Sequence, residues 1–179
     1  MASLTAAQGF RITGSTAWTY FGASVAGGGD FNGDGIDDLI VGAPGMSADG
    51  LTQRGAAYVI FGSSNPTRAD ISIASLASSD GVFLKGAAAD DRAGQTVAFA
   101  GDVNGDGAGD ILITGFLNDW GGSNNAGVTH LVYGSPAAFN LTSYDDEYTV
   151  TGTDSRIISG LDGNDTITGG TGSDRMTGG

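Results

Sequence analysis

Two halves of this chain repeat each other at one constant offset, and a period as long as that from Gly9 to Gly81 admits few folds. Gly9 recurs as Gly81, Gly14 as Gly86, Gly22 as Gly94 and Val25 as Val97. Further on, Leu39-Ile40-Val41 recurs as Ile111-Leu112-Ile113, Gly55 as Gly127, and Val59-Ile60-Phe61-Gly62 as Leu131-Val132-Tyr133-Gly134. Short apolar runs between regularly placed glycines mark a repeat architecture rather than one irregular domain.

The local signals are those of strands. No long stretch has a 3.6-residue apolar period, and the chain's 33 glycines interrupt every candidate helix. Only Ile71 to Leu76 reads as a brief helical turn. Each unit reads as four short strands. The first is Ala23 to Ala26 and Gln95 to Ala100; the second is Leu39 to Val41 and Ile111 to Ile113. The third is Ala56 to Phe61 and Val128 to Tyr133; the fourth is Val82 to Lys85, with counterparts at Phe10 to Thr13 and Tyr148 to Thr151. The continuous apolar run of the second strand suits burial on both faces. Gly-, Ser- and Asn-rich loops, 45–54 and 118–126, join the second strand to the third. Four antiparallel strands per repeat describe a propeller-type blade. The expected fold is all-β, with two antiparallel four-stranded β-propeller-type blades in residues 1–150 and the start of a parallel β-roll in 151–179.

Between the first and second strands each unit carries an acidic nonapeptide. The first runs from Asp30 to Asp38 (DFNGDGIDD), the second from Asp102 to Asp110 (DVNGDGAGD). Oxygen-bearing side chains stand at positions 1, 3, 5 and 9, with Gly at position 6 to permit a sharp turn. Asp30, Asn32, Asp34 and Asp38 are candidate side-chain ligands, with the Ile36 carbonyl, since that side chain cannot ligate. Asp102, Asn104, Asp106, the Ala108 carbonyl and Asp110 are the counterparts. Asp37 reads as a solvated turn residue. The spacing resembles the opening of an EF-hand loop, but Val41 and Ile113 stand where that motif needs Glu at position 12, so the acids at position 9 would close the site. Oxygen-only ligation favours Ca²⁺ over zinc or copper, and a flexible many-oxygen loop favours it over Mg²⁺. The competing reading is an Asx-rich hairpin turn without metal.

Charge and composition exclude several functions. A formal charge of −13 lacks the basic face that nucleic acid requires. No Cys is present, so neither a disulfide framework nor thiolate chemistry is available. No apolar run approaches membrane-spanning length, and no Sec-type signal is visible at Met1 to Thr5. The single histidine, His130, falls within a strand where its counterpart is Tyr58, and no Gly-x-Ser-x-Gly elbow occurs. The chain is not expected to be an enzyme. Gly27-Gly28-Gly29 precedes a loop rather than a helix, which argues against a phosphate cradle.

Phe21-Gly22, the aspartate loop and Gly42-Ala43-Pro44 together resemble the FG-GAP repeat of integrin α-subunit β-propellers. The second unit departs from it, with Ala93-Gly94 for Phe-Gly and Thr114-Gly115-Phe116 for Gly-Ala-Pro. The resemblance covers residues 9 to 152 and implies blades with a calcium ion in the hairpin between a blade's first two strands. The tail changes character. Gly160 to Thr168 and Gly169 to Thr177 resemble the calcium-binding RTX nonapeptide G-G-x-G-x-D-x-U-x, with Asp165 and Asp174 in the aspartate slot and Ile167 and Met176 in the apolar slot. Leu161-Asp162 departs from its opening, and Thr151 to Ser159 reads as a decayed turn with Arg156 in the aspartate slot. In that family, turns on the same side of the roll lie two nonapeptides apart.

The resemblance also implies a role: a non-catalytic, calcium-binding extracellular or surface module of a bacterial protein, for adhesion or scaffolding, exported by a type I route. An accessory region of a secreted phospholipase or polysaccharide-degrading enzyme is the alternative, and a carbohydrate-binding module another. Strand parity puts Trp18 and Trp120 at the end of the blades opposite the aspartate loops, where a protein or glycan ligand would sit. Propellers need four to eight blades, and two leave edges open. A larger repeat protein is therefore expected to complete the ring, the alternatives being a homo-oligomer or the leading strand Phe10 to Thr13 folding back as an edge cover.

Overall fold

The computed structural model describes residues 5, 7–115, 126–135, 138–140, 147–149, 157–159, 166–168 and 175–177. A short leading strand, β1 (Ile12–Thr13), precedes the first blade, which contains β2 (Val25–Gly29), β3 (Asp38–Gly42) and β4 (Ala56–Ile60). After β5 (Ile71–Ser72) the chain returns as β6 (Gly81–Lys85) and completes an antiparallel sheet in the order β2-β3-β4-β6. The second unit repeats this with β7 (Thr96–Gly101), β8 (Asp110–Gly115) and β9 (Val128–Val132), paired antiparallel in that order. The strands fall close to where the apolar runs place them, with small differences at their ends.

Burial explains why the inner strands have no polar alternation. All five residues of β4 are buried, because both faces of the first sheet are covered. On one face Ile40, Ala57 and Val59 pack against Val97, Ile111 and Ile113 of the second sheet, with Phe31 closing the cluster. On the other, Ala43, Ala56, Tyr58 and Ile60 pack under Ile71 and Ile73, flanked by Phe10, Ile12 and Phe21. Tyr58 also stacks on Phe83, with ring centroids 4.7 Å apart.

The two sheets approach closely enough to require glycine. A Cβ on Gly42 would lie 2.0 Å from the carbonyl oxygen of Gly94, a backbone atom that cannot swing aside. Gly42→Ala is expected to cost about 1–3 kcal/mol, as overpacking of a filled site does, and to be read as a lower denaturant midpoint. The same junction repeats in the main chain. Gly22 N–H donates to Gly42 O at 2.9 Å, and Gly94 N–H to Thr114 O at 3.0 Å.

Two expectations are corrected. Phe10 to Thr13 does not join an antiparallel blade: β1 pairs in parallel with β5, Ile12 against Ile71. Ile71 to Leu76 carries the brief helical turn expected of it, a 3₁₀ turn at Ile73–Ser75 that follows β5 and lets both Ile71 and Ile73 reach the core. The expected fourth strand of the second blade, Tyr148 to Thr151, is used elsewhere, its last two residues lying outside the described residues. Glu147–Thr149 (β11) pairs in parallel with Thr166–Thr168 (β13). The tail strands pair in parallel, as expected, and two strands upstream of residue 151 pair with them. Ala138–Asn140 (β10), Ile157–Ser159 (β12) and Arg175–Thr177 (β14) form its other sheet. Met176 follows its partner Ile158 at the spacing of two nonapeptides, and the pairs Phe139–Ile158 and Tyr148–Ile167 each have one extra position.

An ion pair anchors β1. Arg11 reaches Asp70 at 2.5 Å, and Arg11 N–H donates to the same carboxylate at 2.8 Å. These bonds hold the Asp70 carboxyl below the usual carboxylate range. A depressed acid contributes stability above its unfolded pKa of about 3.9 and loses it as the pH falls through the folded value. Exchange of the Ile71 amide, which donates to Arg11 O, is expected to accelerate below about pH 4 before the sheets open.

Candidate metal centre

Each aspartate loop starts from a β-bulge. The register of β2 against β3 shifts between Gly27 and Gly29, and that of β7 against β8 between Phe99 and Gly101. Both shifts fall just before the loop, so the bulge bends the hairpin and re-aims the residue opposite it. That residue is Asp38 in the first blade and Asp110 in the second.

Within the loops the two sites have nearly the same bonds. Asp34 N–H is shared between Asp30 Oδ1 at 3.0 Å and Asn32 Oδ1 at 3.1 Å. Gly35 N–H donates to Asp30 Oδ2 at 2.7 Å, and Ile36 N–H to Asp34 Oδ1 at 2.9 Å. In the second loop Asp106 N–H is shared between Asp102 Oδ1 and Asn104 Oδ1, both at 3.1 Å. Gly107 and Ala108 N–H donate to Asp102 Oδ2 and Asp106 Oδ1, each at 2.9 Å. Asn32 Nδ2 donates to Asp34 Oδ2 at 2.9 Å, as Asn104 Nδ2 does to Asp106 Oδ2 at 2.8 Å. The backbone turns left-handed at Gly33 and Gly35, and again at Gly105 and Gly107. The structure thus brings positions 1, 3 and 5 of each loop onto one backbone amide.

Asp38 and Asp110 do not share that amide and are fully buried. Asp38 Oδ2 accepts from Phe31 N–H at 2.8 Å, and Oδ1 from Gly62 N–H at 2.7 Å. Asp110 does the same with Val103 N–H at 2.8 Å and Gly134 N–H at 2.9 Å. Each carboxylate therefore ties the start of its loop to the end of the blade's third strand. The sequence reading missed Gly62 and Gly134 as partners, although both recur at the repeat offset. Burial pushes the Asp38 carboxyl up, against the two amide bonds, and neighbouring Asp30 adds to the rise. Above the raised pKa the ionised form costs stability, and a cation nearby would offset that cost.

The donor set fits a hard divalent cation. Among the described residues no three Asp, Glu, His or Cys side chains form a ready-made cluster; each loop's third donor is an Asn. A carboxylate has about four lone-pair sites, and one amide bond per oxygen leaves the others free. Asp30, Asn32 and Asp34 would hold such an ion in the first loop, and Asp102, Asn104 and Asp106 in the second. Asp38 and Asp110 would close each site from the buried side, with the lone pairs that their amide bonds leave free. The first loop is also braced by the second blade: Gly109 N–H of the second loop donates to Asp30 O at 2.5 Å, and Ser135 N–H, beyond β9, to Phe31 O at 3.0 Å. Asp165 and Asp174 lie outside the described residues.

The opposite end of the blades differs in character. Among the described residues six non-glycine residues have left-handed backbone there: Trp18, Tyr20, Asp49, Gln53, Asp90 and Arg92. Main-chain bonds lock these connections together, Gly45 N–H to Thr19 O and Arg92 N–H to Gln53 O, each at 3.0 Å. Trp18 is 81% exposed. Trp120 lies outside the described residues. His130 is an exposed residue of β9 opposite Ile113.

Fold and site together define tandem antiparallel blades, each with an aspartate-rich hairpin. Residues 21–60 match the family model of the FG-GAP repeat. Integrin alpha-PS2 of Drosophila melanogaster is 34% identical over 131 residues, which is 71% of this chain and 9% of that protein. Phosphatidylinositol-glycan-specific phospholipase D of Homo sapiens is 35% identical over 108 residues, 60% of this chain and 12% of that protein. Integrin alpha pat-2 of Caenorhabditis elegans is 46% identical over 57 residues, 32% of this chain and 4% of that protein. The chain therefore spans only a small fraction of the relatives it matches. No helix among the described residues is long and apolar enough to cross a membrane.

Proposed function

We propose that the chain is a calcium-stabilised, non-catalytic repeat module, extracellular or at a cell surface, that serves adhesion or scaffolding. The observation that carries this is the near-identity of two oxygen-lined loops, bond for bond, at the same place in two blades. Calcium binding the folded loops better than the unfolded chain would stabilise the fold. Extracellular modules commonly bind with Kd of about 10⁻⁴ to 10⁻³ M, which suits a calcium-rich medium. Similarity to two integrin α chains supports the adhesion reading. The ligand, a protein or glycan, would meet the Trp18 end, where backbone strain of the kind stored at binding sites is concentrated.

Calorimetric titration with calcium tests the metal reading. Wild type is expected to give binding heat that the Asp34→Ala/Asp106→Ala double variant loses. Absence of heat from folded wild type at millimolar calcium contradicts it. The tail is read as an RTX-type roll, supported by its parallel strands, of which Ile157–Ser159 and Arg175–Thr177 stand at two-nonapeptide spacing. One finding favours a second reading, an accessory region of a larger secreted enzyme: the similarity to phosphatidylinositol-glycan-specific phospholipase D.

A further inference from the structure

We infer that the junction between the two blades holds a cavity for a small phenolic molecule, opened by two side-chain exchanges between the repeats. In the first unit Phe21 and Tyr58 supply aromatic rings to the core beside the leading strand. The rings meet edge to face with centroids 5.6 Å apart, in the cluster that also holds Ile12 and Ile60. At the repeat offset Ala93 stands for Phe21 and His130 for Tyr58. One ring is reduced to a methyl group and the other to a smaller imidazole.

The main chain has not closed in on the space. A Cβ on Gly14 would lie 3.0 Å from Phe21 Cβ, and one on Gly86, its equivalent, 3.1 Å from Ala93 Cβ. The torsions repeat as well, with φ 52° at Tyr20 and 53° at Arg92. A ring deleted from a frame that does not relax leaves a void. A cavity of about 210 Å³ lies there, walled by Leu84 of β6 and by Ala93, Ile113 and Val132 of the second unit, with His130 and Lys85 as its polar members. Ala93 and Ile113 are buried, and Leu84 and Val132 pack against the same core. About 150 Å³ of apolar space suffices for a benzene ring. The cavity therefore takes a ring with a substituent, as a whole free molecule.

The polar members define that substituent. Lys85 Nζ is already held by Asp49 Oδ2 at 2.6 Å, so it is not available to an acid, and the chain's charge of −13 disfavours an anion. A neutral imidazole offers one donor and one acceptor, which matches a hydroxyl. The ligand class is thus a neutral phenol, its ring against the apolar walls and its hydroxyl on His130. None of the lining residues belongs to an aspartate loop, so the assignment stands or falls independently of calcium.

The test is titration of the untagged chain with 4-methylphenol, in calcium and in chelator. Kd of about 1 mM or tighter is expected, read as heat and as movement of the His130 C2 proton, the single histidine resonance of the chain. Ala93→Phe restores the ring of the first unit. It is expected to raise the melting temperature and to weaken binding about tenfold or more. His130→Tyr restores the other ring, is expected to weaken binding as much by calorimetry, and decides the matter should Ala93→Phe not fold. Absence of heat and of any shift from folded wild type at millimolar ligand overturns the inference, as does equal affinity of wild type and a folded variant. Equal affinity for toluene overturns the phenolic assignment. Tighter binding of a tyrosine-containing peptide than of 4-methylphenol overturns the free-molecule assignment. Failure of the calcium reading would show separately, as a melt that ignores the metal.

Discussion

Asp38→Ala is expected to unfold the first blade's metal hairpin and to lower global stability more than any change of a loop ligand. The carboxylate is fully buried, and its two oxygens accept from the main-chain donors Phe31 N–H and Gly62 N–H. Leaving a buried donor unsatisfied costs about 1–3 kcal/mol, so two together cost about 2–6 kcal/mol. A domain of this kind has about 5–15 kcal/mol in all, so the upper figure is a large share of it. Asp38→Asn keeps the shape and one acceptor, and is expected to lose about half as much. Asp110→Ala repeats the experiment in the second blade, where Val103 and Gly134 are the donors. Chemical denaturation in chelator measures the effect without any contribution from metal. Equal stability of wild type and Asp38→Ala there would show that the brace carries no weight.

The second large effect is calcium-linked stability. With a Kd of about 10⁻³ M and calcium near 10 mM, each loop gains about 1.4 kcal/mol, or about 3 kcal/mol for the pair. For a chain of this length that corresponds to a rise in melting temperature of about 6–12 °C. Asp34→Ala is expected to remove about half of the rise, because the second loop keeps its own donors. The loops also share a backbone bond through Gly109, so the two sites are expected to be non-additive by about 0.5 kcal/mol or more. Melts that coincide in calcium and in chelator would rule the metal out as a stabiliser. Acidification works in the same direction as chelation. Burial raises the Asp38 carboxyl, so it is neutralised at a higher pH than an exposed acid and ceases to attract a cation.

Much of the first blade was legible in the chain itself. Strand positions followed from short β-branched runs between glycines, and the loops from oxygen donors at alternate positions. The constant offset between the two units then doubled each inference, because a chance pattern does not recur with its surroundings. What could not be read were the roles that depend on a distant neighbour. Asp38 reads as one more loop acid, yet the bulge at Gly28 turns it inward and the strand end at Gly62 reaches it from 24 residues away. Tyr148 carries a pattern equally suited to a blade edge and to a roll strand. The choice fell to pairing with β13, which no local signal encodes.

The order of residues alone determined that this chain would be sheet, in two matched units, with an acidic bend in each. Side-chain period, glycine placement and turn chemistry act over a few residues, and so are written locally. The tertiary structure decided which acids lie under the bend and which line it. It also decided that the leading strand rests on the first blade without joining it, and which apolar faces stay exposed. Those outcomes depend on how much surface two distant segments can bury together, a quantity that exists only once the sheets are packed.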